Sequence, residues 1–176
     1  MNGTEIARLV LRGTVGATMI AHGVRHARTL DGTAGWFRSI GFRQPRLQAV
    51  ASAVVEIGAG GALLLGVATP LAASAVVGTM AVAARAVHAP NGFFITAEGY
   101  EYVLTLGAAS VALGALGGGR ATVDRHLLHR PERLTGAQRA ALVAVLGLAG
   151  AAAQLAVFWR RPAGTTTAPA GVPTST

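Results

Sequence analysis

Residues 47–68 read LQAVASAVVEIGAGGALLLGVA, and Glu56 is the sole ionisable side chain among these 22 residues. As a helix rising 1.5 Å per residue the stretch covers about 33 Å, enough to cross a bilayer hydrocarbon core of about 30 Å. Its apolar residues run on without the two-residue or 3.6-residue alternation of a half-buried element in a soluble protein. The stretch therefore reads as a membrane span. Thr69-Pro70 follows at once, a connection so short that it implies an antiparallel hairpin, with Pro70 in the first turn of a second apolar helix running to about Val87.

Before this hairpin, residues 5–24 form another apolar segment, the weakest of the set, with Arg8 and Arg12 near its start where long side chains can reach the interface. Residues 25–46 then mix Arg25, Arg28, Arg38, Arg43 and Arg46 with Trp36, Phe37, Ile40 and Phe42. That composition predicts a short amphipathic helix in the interface, anchored by Trp36 at headgroup depth. After the hairpin, His88-Ala89-Pro90-Asn91-Gly92 carries turn chemistry and leads to a fourth span over residues 100–116, which Gly117-Gly118-Gly119 ends. A polar stretch over 120–139 precedes a fifth apolar segment, 140–158, with Trp159, Arg160 and Arg161 as its interfacial anchor. The predicted architecture is an all-α integral membrane bundle. It has a four-helix domain over residues 1–128 containing the connector 25–46, a polar linker over 129–139, a fifth transmembrane helix within 140–161, and a disordered Pro/Thr/Ala tail over 162–176.

Composition supports the membrane reading, since 52% of the chain is apolar and only 12% charged, against about 25% charged in soluble domains. The net charge of +8 raises nucleic-acid binding as a function. The Arg residues lie between the apolar runs, however, where phospholipid headgroups meet them, so no nucleic-acid partner is expected and the lipid bilayer is. All 15 basic residues are Arg, a GC-rich coding signature that points to a bacterial source and its cytoplasmic membrane. The absence of cysteine excludes thiol relays, thiolate ligation of iron–sulfur clusters, covalent haem attachment and cysteine nucleophiles within the chain. No small-x-small cleavage pattern follows residues 6–21, so this segment is expected to remain as the first membrane helix. With the N-terminus inside, seven Arg fall on the inner side and eight on the outer, which leaves the positive-inside rule silent. The tail resembles exported Thr/Pro stalks and points to N inside, C outside. Small residues at four-residue spacing, through Ser52, Glu56 and Gly60 and through Gly58 and Ala62, offer stripes for close helix approach.

Glu56 is the leading candidate for chemistry, because a carboxylate at mid-membrane costs roughly 2.5 to 3.5 kcal/mol even on the lenient insertion scale. It should face the bundle interior as a proton carrier, or as hydrogen-bond partner to a quinone or a neighbouring His; the plainer reading is an acid that ties two helices together. His22 and His88 end the first and third spans, which run parallel, so they could lie at one depth and ligate a b-type haem; single histidines at helix ends are otherwise interfacial hydrogen-bonders. His22 and His26 stand at metal-ligand spacing on one helical face, with no third ligand in view. Glu98 and Glu101, flanked by Tyr100 and Tyr102, enter the fourth span where carboxylates suit the positive end of the helix dipole. His126 and His129 sit among Arg residues, as on a solvated helix face.

The order of these pieces resembles the DoxX family of small membrane proteins. The resemblance rests on Ala21-His22-Gly23 ending the first span, Gly32-Thr33-Ala34-Gly35-Trp36-Phe37 with Gly41-Phe42 in the connector, and Glu56 in the second span. His88-Ala89-Pro90-Asn91-Gly92-Phe93-Phe94, Gly99-Tyr100-Glu101-Tyr102, Gly119-Arg120 and Asp124-Arg125 complete it. It covers residues 6–128 and implies a four-helix unit similar to membrane parts of a terminal quinol oxidase and a thiosulfate:quinone oxidoreductase. It also implies soluble partners of the superoxide dismutase or sulfurtransferase type, and recurring polar positions at His22, Glu56, His88, Asn91 and Glu101. The function expected on this basis is a membrane subunit of a redox complex that serves redox homeostasis and binds a quinone or similar lipophilic molecule. A non-enzymatic scaffold or small-solute carrier with partner-recruiting basic loops is the alternative.

Overall fold

The structure is a computed structural model and describes residues 1–126 and 134–162. His129, the first half of the 129–139 linker and the tail beyond Pro162 lie outside the described residues. Among those described, all regular elements are helices, with one isolated backbone bridge between Phe42 and Trp159.

Helix α1 spans Gly3–Arg28; Asn2 caps it by accepting the Glu5 N–H at 3.0 Å, and Arg25, His26 and Arg28 sit at its negative end. It continues four residues into the stretch read as connector, and only Thr29 separates it from α2, Leu30–Ser39. Helix α3, Pro45–Leu65, starts on a proline and ends at Gly66, whose φ of 68° is the left-handed conformation glycine adopts without strain. After a tight turn α4 runs back over Thr69–Ala83, widens into a π-helical turn at Ala84–His88 and passes through short 3₁₀ turns to α5, Glu101–Leu116. A short helix α6, Val123–His126, precedes α7, Gly136–Phe158. Helix α7 starts four residues before the expected segment. Thr135 and Gln138 form a reciprocal capping box there, each side chain meeting the other's backbone N–H.

Among the described residues three helices are long and apolar enough to cross a membrane: Pro45–Leu65, Thr69–Asn91 (α4 with its continuation) and Gly136–Phe158. Large apolar side chains such as Val54, Leu65, Leu71, Val145 and Val157 point outward from the bundle, as a lipid environment requires. The molecule is thus a multi-pass membrane protein built as a helical bundle. Helix α5 has 16 residues and at 1.5 Å per residue reaches about 24 Å. Helix α1, which carries Glu5, Arg8 and Arg12, is not among the three apolar helices.

Helices α1 and α3 meet backbone to backbone. A Cβ on Gly16 would stand 2.8 Å from the Gly60 carbonyl oxygen, and one on Gly60 would stand 2.6 Å from that of Gly16. Gly58, read as part of a packing stripe, instead has nothing within 4 Å of a built Cβ. Helix α7 packs on α4 and α5, with Gly147 close against the Ser74 carbonyl. The core between α1, α3, α4 and α5 is filled by Val15, Met19, Leu63, Val76, Leu106 and Leu113.

One expectation about a charged end is corrected. Arg12 does not reach out to the interface: it is 3% exposed and turns inward. Its Nε donates to the Leu63 carbonyl and Nη2 to that of Leu64, both at 2.7 Å, while Nη1 donates to Ala121 at 2.7 Å and Gly118 at 3.2 Å. The guanidinium thereby satisfies carbonyls that the end of α3 leaves open and ties that end to the segment after α5. Arg8 turns inward beside it, paired with Glu5 and donating to the Leu116 carbonyl at 2.7 Å. At the opposite end Trp159 is half-buried; its indole N–H donates to the Ile40 carbonyl at 2.8 Å, and the Arg85 guanidinium lies 4.7 Å over its ring. It joins α7 to the connector, whereas Trp36, 44% exposed, presents an open face.

Candidate functional site

Glu56 follows Pro45 by 11 residues on α3, which sets it about 16 Å into the bundle from the connector end. It lies on the α1 side because Gly23 admits it: a Cβ on Gly23 would stand 2.9 Å from the Glu56 Cβ. The residue is 4% exposed. Its Oε1 accepts a hydrogen bond from the Ser52 hydroxyl at 2.8 Å, and that hydroxyl lies 3.2 Å from His26 Nδ1. His26 Nδ1 is also 3.0 Å from Glu56 Oε2, an ion-pair distance. The contact lacks hydrogen-bond alignment, so Oε2 is buried without a hydrogen-bond partner among the described residues. A buried carboxyl oxygen in that condition costs free energy unless something else satisfies it.

Glu56, Ser52 and His26 form one wall of a cavity of about 520 Å³. This lies within the 300 to 1,000 Å³ range of small-molecule sites. Beside them His22 Nε2 stands 3.4 Å from the Tyr102 hydroxyl, and the two rings are stacked with centroids 6.1 Å apart. The remaining lining is largely apolar and includes Trp36, Phe37, Phe42 and Phe158, so α2 and the end of α7 close the cavity toward the connector end. At that end Gln48, 3% exposed, accepts a 2.8 Å hydrogen bond from Gln154 of α7. An apolar slot with a few convergent polar groups can hold a lipophilic molecule and orient its polar atoms.

The residues singled out from sequence divide into two groups. Glu56, His22 and His88 all reach the cavity lining. His88 Nδ1 already donates to the Glu98 carbonyl at 2.6 Å, which fixes its ring against the 89–98 loop. Asn91 and Glu101 do not reach the lining. The Asn91 amide lies 3.3 Å from the Val87 carbonyl, and Glu101 Oε2 accepts the Ile95 N–H at 3.0 Å, so both shape the loop that enters α5. His26, read beside His22 as a metal pair, turns instead to Glu56. Among the described residues no group of three His, Cys, Asp or Glu side chains converges on a metal position.

Sequence reasoning missed Ser52, Tyr102, Gln48 and Gln154 as members of the site. One signal was available: Gln48, Ser52 and Glu56 stand at i, i+4 and i+8, a polar stripe along one face of an otherwise apolar helix. Gln154 carried no such signal, since its place depends on how α7 packs.

Neither a curated protein nor a solved structure matches the chain. The family model for DoxX matches residues 7–89, which hold α1 to α4, Glu56, His22, His26 and His88. By this match residues 7–89, just under half of the chain, resemble the DoxX family.

Proposed function

We propose that the protein is a membrane subunit of a redox complex in a bacterial cytoplasmic membrane, binding a quinone or similar lipophilic molecule in the cavity beside Glu56. One observation carries this reading: a carboxyl oxygen at mid-bundle, buried and without a hydrogen-bond partner, on the wall of an apolar cavity of ligand size. A quinone brings an apolar body for the aromatic and aliphatic lining and polar oxygens for Glu56, Ser52 and His26. Glu56 and His26 can exchange a proton through the Ser52 hydroxyl, 2.8 Å from Glu56 Oε1 and 3.2 Å from His26 Nδ1, and the His26 side chain, 23% exposed, continues toward the surface. Electrons would come from a soluble partner, of the superoxide dismutase or sulfurtransferase type that the family resemblance implies, because no side chain here stores them without a bound cofactor.

The test is organic extraction and mass analysis of protein purified in mild detergent, with an absorption spectrum to detect b-type haem. A stoichiometric quinone supports the reading. Glu56→Gln should then keep the quinone bound and lose quinone-dependent reduction in native membranes, whereas unchanged turnover removes the acid from the mechanism. Absence of both quinone and haem favours a scaffold or solute carrier. A specific feature supports that second reading: Arg25, Arg28, Arg38 and Arg43 are exposed at the connector end with no acidic partner among the described residues, open to an acidic protein whose binding would weaken with salt.

A further inference from the structure

The cavity has a second polar pole. Gln48 and Gln154 share one hydrogen bond, Gln154 Nε2 to Gln48 Oε1 at 2.8 Å, and neither amide makes another among the described residues. An amide carries two N–H donors and one acceptor oxygen, so whichever way the two amides are turned, the pair keeps an unused donor and an unused acceptor at the cavity wall. Gln48 is buried, and both residues line the same cavity as Glu56.

The two poles lie on one helix face, which sets their spacing. Gln48 and Glu56 are eight residues apart on α3, about 12 Å along the axis at 1.5 Å per residue. A hydrogen bond of about 2.9 Å at each end leaves about 6 Å between the polar atoms of an occupant that bridges them. That is the span of a single six-membered ring bearing oxygens para to one another. The flanks of the slot are aromatic and aliphatic, as a flat ring requires.

We infer that the Gln48–Gln154 pair is the distal half of a two-ended site for a single-ring, para-oxygenated molecule, and that α7 is a specificity element of the cavity. This rests on the reading of the cavity as a small-molecule site and deepens it. Residue 154 lies outside the matched stretch 7–89, so its part in the site is read from the packing of α7 alone.

The experiment uses the full-length protein in lipid nanodiscs, with isothermal titration under anaerobic conditions and empty nanodiscs as control. The probes are 2,6-dimethylhydroquinone and 2,6-dimethylphenol, which differ by the second ring oxygen. Wild type should bind the hydroquinone about tenfold more tightly than the phenol, the effect of one added hydrogen bond in a desolvated site. Gln154→Met, close to isosteric, should bring the two affinities within about threefold by weakening the hydroquinone alone. Gln48→Met attacks the same pair from α3 and should do likewise, so a folding failure in one variant leaves the other to decide. Equal affinities in wild type, or a wild-type preference that survives in a folded variant, overturn the inference and leave the small-molecule reading standing. Binding of neither probe to wild type overturns that reading, and the inference with it.

Discussion

Replacing Arg12 by methionine should destabilise the bundle more than removal of any exposed arginine. The guanidinium donates to four carbonyl oxygens, of which the Leu63 bond is buried and those to Leu64, Gly118 and Ala121 are partly buried. A buried carbonyl left without a partner costs about 1 to 3 kcal/mol, and carbonyls that water can reach cost less. One full penalty and three partial ones, offset by no longer having to desolvate the cation, give a net loss of about 3 to 5 kcal/mol, the scale of truncating one side of a buried charged network. For a chain of this size that corresponds to a fall of roughly 6 to 20 °C in Tm. Thermal unfolding followed by circular dichroism in nanodiscs measures it, with exposed Arg25→Met as a control that should stay within about 0.5 kcal/mol of wild type. Arg12→Lys should recover less than half of the loss, because an ammonium is a compact point charge that cannot reach four oxygens spread around a planar fork. An Arg12→Met protein that melts within about 2 °C of wild type would refute the view that this side chain joins the end of α3 to residues 118–121.

Other substitutions probe the helix contacts. Gly16→Ala places a methyl against the Gly60 carbonyl and should cost about 1 to 3 kcal/mol, whereas Gly58→Ala, which meets nothing, should gain about 0.5 to 1 kcal/mol from helix propensity; equal effects at the two sites would contradict the α1–α3 contact. Thr135→Ala removes the hydroxyl of the α7 capping box and should lower stability by about 0.5 to 2 kcal/mol, read as a shift in Tm. Trp159→Phe deletes the N–H bonded to Ile40 and should cost about 0.5 to 1.5 kcal/mol while raising the rate of limited proteolysis within residues 29–46. An unchanged cleavage rate would show that the indole does not hold the connector.

The bundle could be read from sequence because lipid imposes the plainest pattern a chain can carry, long apolar runs with the charges gathered between them. Glu56 stood out for the same reason, as a lone acid in such a run. Its partner His26 did not, since the four-residue spacing from His22 suggests a metal pair, and only the approach of α1 to α3 at Gly23 turns His26 toward the acid. Asn91 and Glu101 stand apart from the cavity, polar residues near a helix end whose hydrogen bonds are taken up by their own loop. Arg12 read as an interfacial side chain because the carbonyls that receive it arrive from residues 118 and 121, more than a hundred positions later. Thr135 and Gln138, by contrast, spell a capping box in plain sequence, and it sets the start of α7 four residues earlier than hydropathy does.

The bond from Trp159 to Ile40 joins residues 119 positions apart, and Gln154 reaches Gln48 across 106. The pocket wall laid down first is therefore completed by a helix whose Gln154 leaves the ribosome 106 residues after Gln48. Until α7 inserts, the face of α4 it covers and the mouth beside α2 remain open to lipid, and a nascent chain halted before residue 136 holds Glu56 in an unfinished chamber. The finished cavity thus forms only once α7 has joined α4 and α5.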